Sequence, residues 1–153
     1  MNTVKHLNGS KLPQLPKKRL TFWNKNYVVC AIIATFIATY LDHYFVTKGI
    51  YEFPFRPFPE LFSFNIGFTG IILPLFIIVF LHILSQVNNW GKAGIILLIS
   101  LLVPIFEKLS EEFGLFIHSE NWQHSYSIYG YLLFLMFIYA LSRFLNKIQK
   151  AEA

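Results

Sequence analysis

Four long apolar blocks separated by polar turns leave this 153-residue chain only one solvent in which it can fold. The blocks lie at about residues 27–46, 62–84, 92–113 and 127–144. A soluble domain of this size cannot bury four such segments, whereas a helix crossing the ~30 Å hydrocarbon core of a bilayer needs roughly 20 residues of this character. Composition agrees: 14% of the residues are charged, against roughly a quarter in a soluble domain. The expected fold is all-α, a four-helix transmembrane bundle over residues 27–145, flanked by a basic tail (1–26) and a short C-terminal tail (146–153).

Two blocks are too short on apolar residues alone. The third is apolar only over residues 93–106, a stretch that at ~1.5 Å per residue rises about 21 Å. To span, its helix must continue through Glu107, Lys108, Leu109, Ser110, Glu111, Glu112 and Phe113 to a stop at Gly114, glycine being the usual residue just past a helix end. The first block loses its apolar character after Leu41, so its completion draws in Asp42 and His43. The second contains Pro74, which membrane helices tolerate. The lone Cys30 lies inside the first block; it can form no intrachain disulfide and reads as a small apolar helix residue. The first block follows a long polar stretch and precedes no small-x-small cleavage site, so a retained helix is expected rather than a signal peptide. Trp23, closing the segment 20–23, suits a headgroup-level anchor.

The basic residues predict the orientation. Lys5, Lys11, Lys17, Lys18, Arg19, Lys25, Lys92, Arg143, Lys147 and Lys150 fall on one side, ten of the 13 Lys and Arg, leaving Lys48, Arg56 and Lys108 for the other. Lys and Arg flanks stay in the cytoplasm, so both termini are expected inside (N-in/C-in). The net charge of +5 then reflects orientation signals and attraction of the basic tail to anionic lipid. No zinc-finger spacing, Gly-rich phosphate loop or nucleic-acid module occurs in the sequence, so the expected partner is the bilayer and not nucleic acid. Nothing in the sequence names a protein partner. The acids are biased the other way: Asp42, Glu52, Glu60, Glu107, Glu111, Glu112 and Glu120 lie at the outer end and only Glu152 inside. Acids contribute little to orientation, so the bias reflects either surface chemistry or a site.

The candidate cluster at that end is Asp42, His43, Arg56, Glu107, Glu111, His118 and His124, accompanied by Glu120 and Trp122. Helical spacing supports part of it. Ala31, Thr35, Ala38 and Asp42 make one stripe of small and polar residues, suited to close helix packing. Ser100, Pro104, Glu107 and Glu111 make another, and Asn65 with Thr69 a third. Polar residues at membrane depth face the bundle because exposing them to lipid is costly. A polar pocket between the outer ends of the first three helices follows. In the loop, Pro54, Pro57 and Pro59 forbid a helix around Arg56. Two readings stand there: an interfacial turn with Arg56 on lipid phosphate, or a segment folded over the bundle with Arg56 paired to Asp42 or Glu107.

No established chemistry is legible in these residues. His118 and His124 are six apart, which on a single helix would put them on opposite sides, and Glu107-x-x-x-Glu111 lacks the histidine partner of helical metal motifs. No metal and no cofactor are therefore assigned. His82 is the only histidine well inside a block, and no chain of ionisable residues crosses the bilayer to serve a relay. There is no G-x-S-x-G elbow and no H-E-x-x-H, so no catalytic residues are assigned and a structural or accessory role is favoured over an enzyme. The alternative is a binding or catalytic site for a lipid headgroup, a metal or a small polar ligand.

The runs Tyr40-Leu41-Asp42, Gly49-Ile50-Tyr51 and Phe53-Pro54-Phe55-Arg56-Pro57-Phe58-Pro59 carry a resemblance, joined by Phe106-Glu107-Lys108-Leu109, Gly114-Leu115-Phe116, Trp122-Gln123-His124 and Tyr126-Ser127. Over about residues 27–145 the chain resembles a group of small multi-pass membrane proteins of spore-forming Gram-positive bacteria. The resemblance implies a bacterial plasma-membrane location and no activity, and its runs fall on the same outer-end residues that the spacing singles out.

Overall fold

Each apolar block forms a helix, and the charged turns beyond blocks one and three are helical too. The structure, a computed structural model, describes residues 24–120 and 122–151. Helix α1 is Lys25–Thr47, α2 Leu73–Gln86, α3 Asn89–Glu112 and α4 His124–Ala151. A π-helical turn, Phe68–Ile72, leads directly into α2. The four segments Lys25–Thr47, Phe68–Gln86, Asn89–Glu112 and His124–Ala151 are each long and apolar enough to cross a membrane. The expected basic tail, up to residue 23, and the expected Trp23 anchor lie outside the described residues.

Local chemistry sets the helix ends. Asn24 opens α1, its side chain accepting from the Asn26 N–H at 3.0 Å, and Asn88 opens α3 by accepting from Gly91 N–H at 2.8 Å. Such caps satisfy N–H groups that have no partner inside the helix. Helices α1 and α3 close in the same way. Gly49 (φ 65°) and Gly114 (φ 69°) take left-handed backbone. Behind Gly49, Ile50 N–H reaches Phe45 O and Gly49 N–H reaches Val46 O; behind Gly114, Leu115 N–H reaches Ser110 O and Gly114 N–H reaches Glu111 O. This double bond pattern needs a residue that tolerates positive φ.

The second span starts at Phe68, not at residue 62 as the apolar run suggested. The chain spends residues 62–65 on a turn, and Asn65 then acts as the cap, its side chain accepting from Phe68 N–H at 3.1 Å and its carbonyl from the Thr69 hydroxyl at 3.2 Å. The π-helical turn sits just before Pro74. Proline lacks an N–H and its ring crowds the carbonyl four residues back, and a widened turn relieves that crowding. Helix α4 also differs from the expected 127–144, gaining a turn at its start and two at its end.

The helices pack as two hairpins, α1 on α2 and α3 on α4, joined along α1 and α4, while α2 and α3 barely touch. Cys30, Ala31 and Ala34 of α1 are buried against Ile77, Phe80 and Leu84 of α2 and Leu135 and Ile138 of α4. Small residues on α1 let backbones approach where lipid offers no hydrophobic drive to associate. The outward faces stay apolar: Phe36 (72% exposed), Leu133 (68%) and Ile105 (62%) present bulk that only hydrocarbon would accept. At one end, Asn26 of α1 donates to Asn146 (2.6 Å) and Gln149 (3.0 Å) of α4, so the start of α1 and the end of α4 lie together there.

The opposite end, here the cap, is closed by two short strands that the hydrophobic pattern does not reveal. Strand β1 (Tyr51–Glu52) pairs antiparallel with β2 (Ile117–His118), Tyr51 opposite His118, and Ser119 N–H extends the ladder to Ile50 O at 2.9 Å. Each strand follows a glycine helix stop within a few residues. The ribbon thus ties one hairpin's loop to the other's. The proline-rich loop folds back, with Pro57 Cγ near enough to Gly67 that an added Cβ would meet it at 3.3 Å.

Candidate functional site

Three segments deliver the polar side chains of the cap. The last turns of α3 present Glu107 and Glu111, strand β2 presents His118, and the first turn of α4 presents His124 and Ser127. They converge because Gly114 turns the chain back on itself immediately after α3, which brings β2 alongside the helix end it has just left.

His118 Nε2 lies 3.1 Å from Glu111 Oε1, and its Nδ1 lies 2.9 Å from the Ser119 carbonyl. His124 Nε2 lies 3.3 Å from Glu111 Oε2, and its Nδ1 lies 3.3 Å from Glu107 Oε2. Ser127 donates to that same Glu107 oxygen at 2.7 Å. The two imidazoles meet edge to face with centroids 4.9 Å apart. The spacing argument against a shared histidine site therefore does not hold: it assumed one helix for His118 and His124, whereas His118 ends strand β2 and His124 begins α4. These four side chains are 18–30% exposed, shielded enough to interact strongly and open enough to be reached from outside.

Asp42 makes a second centre beside the first. The Tyr51 hydroxyl donates to Asp42 Oδ1 at 2.6 Å. Burial first, and then the charge of Asp42 and its hydrogen bond, push the Tyr51 phenol far above its ordinary range, with Tyr131 and Glu107 adding in the same direction. The phenol is consequently a fixed donor. Rings from both hairpins shelter the pair: Tyr51 lies 5.2 Å from Phe116 and 5.8 Å from Trp122, and Phe45 lies 5.9 Å from Trp122, between centroids. The indole Nε1 of Trp122 is buried and has no hydrogen-bond partner among the described residues.

Arg56 and His43 do not join either centre. Arg56 donates through Nε to Phe62 O at 2.8 Å and through a terminal nitrogen to Phe53 O, so its guanidinium holds its own loop closed. Among the described residues it forms no ion pair with Asp42 or Glu107, so the expected pairing with a cluster carboxylate is not formed: two carbonyls of its own loop take its donors instead. His43 Nδ1 faces Ser63 Oγ at 3.0 Å, on the exposed side of the same loop. The seven expected residues thus divide into Glu107, Glu111, His118 and His124 together, Asp42 with Tyr51, and His43 and Arg56 apart.

Tyr51 and Ser127 are the participants that sequence reasoning missed. Ser127 follows His124 by three residues, one helical turn, a signal that needed the start of α4 to be placed correctly. Tyr51 carries no spacing signal, because its role depends on strand pairing. Comparison with known proteins gives no match: no family model, no curated protein and no solved structure matches the chain.

Proposed function

We propose that this chain is a multi-pass protein of the bacterial plasma membrane, with both termini in the cytoplasm, that binds a small polar or cationic ligand at the extracytoplasmic cap. One observation carries the ligand site: His124 stands between two carboxylates, with each ring nitrogen 3.3 Å from one of them. A neutral imidazole has one N–H to offer, so the neutral ring turns a lone pair toward one of the two anions, and that contact is satisfied only by a cation there, either a second ring proton or a bound ligand. Orientation is supported by the ten-to-three distribution of Lys and Arg, and the membrane type by the resemblance to the spore-former group.

A structural role is the second reading, favoured by the Glu107–Ser127 and Asp42–Tyr51 bonds, which latch the loops to the bundle. Two measurements decide. In a Cys30→Ser background, an impermeant maleimide on intact cells labels Glu60→Cys and spares Gln86→Cys if the cap is outside; the reverse pattern overturns the orientation. Glu111→Gln and His124→Gln remain inserted and monodisperse in detergent if the cluster serves a ligand. Aggregation of both identifies a structural clamp.

A further inference from the structure

We propose that Glu111, His118 and His124 hold one divalent transition-metal ion, zinc being the best fit to their chemistry. This rests on the reading of the cap as a ligand site and names the ligand. One ligand atom from each of the three residues lies within 4.8 Å of the others. Two imidazole nitrogens and a carboxylate oxygen suit zinc and its neighbouring divalent transition metals, whereas calcium and magnesium take oxygen throughout.

The hydrogen bonds behind the rings make the site more than a cluster. A carbonyl oxygen only accepts, so the 2.9 Å contact from His118 Nδ1 to Ser119 O puts a proton on Nδ1, and the neutral ring then carries its lone pair on Nε2. His124 Nδ1 faces the Glu107 carboxylate, itself fixed by Ser127. With Nδ1 protonated there as well, both Nε2 lone pairs point at Glu111. Three electron-rich atoms then face one another, an arrangement that a cation between them converts from repulsion to ligation. An imidazole whose far N–H is held by a carbonyl or a carboxylate is also the arrangement that orients metal-binding histidines.

Distances agree. Zinc bonds of about 2.0–2.1 Å in a tetrahedron place neighbouring donors about 3.3 Å apart. Glu111 stands 3.1 Å from His118 Nε2 and 3.3 Å from His124 Nε2, through its two oxygens. The widest separation, up to 4.8 Å, closes by rotation of partly exposed side chains. Three protein ligands leave a fourth position for water or an exchangeable ligand. A groove lined by Ile105, Lys108, Leu109 and Glu112 reaches His124 and gives that position access.

The test uses the full chain, purified in detergent and stripped with a chelator. Zn2+ is titrated calorimetrically, and Co2+ is followed by its visible absorption, which reports ligand geometry. The expected result is one ion per chain with an affinity tighter than about 10 µM. His124→Gln and Glu111→Gln should each weaken binding by ~100-fold or more, and Glu107→Gln, behind the ring, by roughly 10–100-fold with stoichiometry unchanged. His43→Ala, outside both centres, should leave affinity unchanged. The proposal is overturned if the monodisperse wild-type chain takes up no Zn2+ or Co2+, or if binding survives in the His118→Ala/His124→Ala double variant. Absence of metal binding with Glu111→Gln and His124→Gln still folded removes the metal and leaves a site for another ligand. Absence of metal binding with both variants aggregated removes the ligand site as well.

Discussion

The Tyr51 hydroxyl donates to Asp42 Oδ1 at 2.6 Å, so the first residue of strand β1 is bonded to the helix that ended a few residues before it. The bond pins the two-stranded ribbon to α1. It also gives a half-buried carboxylate a donor that burial and the carboxylate's own charge keep protonated.

Tyr51→Phe should therefore destabilise the protein by about 1.5–3 kcal/mol, the range for a hydrogen bond to a charged group, while Tyr40→Phe, on the exposed face, should have no measurable effect. Thermal unfolding in detergent checks both. The sign of the pH dependence follows from the raised phenol pKa. The contribution is fully present below the unfolded value of about 10 and declines as pH rises above it, because only the unfolded chain releases the proton there. The gap between wild type and Tyr51→Phe should be flat from neutrality to about pH 9.5 and narrow beyond it.

Gly49 and Gly114 stop α1 and α3 in left-handed backbone, and a Cβ on either would meet nothing within 4 Å. The cost of Gly49→Ala or Gly114→Ala is then purely conformational, about 1–2 kcal/mol each. Gly94 and Gly130 also have open space around the Cβ position but lie inside helices without positive φ. Gly94→Ala and Gly130→Ala should be neutral or stabilising by up to about 1 kcal/mol. Unfolding midpoints of the four variants, measured side by side, test the distinction.

Leu135 and Leu133 are two residues apart on α4 and face opposite ways, one fully buried and the other 68% exposed. Leu135→Ala should cost about 2–5 kcal/mol, as core truncations do. Leu133→Ala should change stability by under about 0.5 kcal/mol, since lipid fills the space. Equal effects would contradict the packing of α4 against α1.

Arg56 bonds two carbonyls of the loop it belongs to. Its planar fork reaches both at once, whereas a lysine ammonium is a point donor. Arg56→Lys should leave insertion intact and raise the rate of limited proteolysis between residues 53 and 62 several-fold. An unchanged cleavage rate would show that the prolines alone hold the loop.

The bilayer-spanning fold was legible because it rests on composition and length. Four apolar stretches and a ~30 Å hydrocarbon slab leave few alternatives, and the same length requirement carried α1 through Asp42 and α3 through Glu107 and Glu111. The inward stripe from Ser100 to Glu111 was legible from helical period. The start of the second span was not. Phe62 and Phe64 are apolar, but Asn65 offers a cap and Pro74 needs a widened turn, so the helix begins later than the hydropathy suggests.

By itself the sequence determined the class of the protein, its four helices and the end of the bundle where polar residues collect, since all of these follow from periodicity and the cost of burying polar groups in lipid. Only the tertiary structure decided which of those residues meet. His118 and His124 share a carboxylate because β2 pairs with β1 and Gly114 reverses the chain, and Arg56 stays apart because nearby carbonyls claim it. Local pattern encodes which face a residue lies on, whereas a site made from three segments depends on strand register and turn geometry, which become fixed only when the segments pack together.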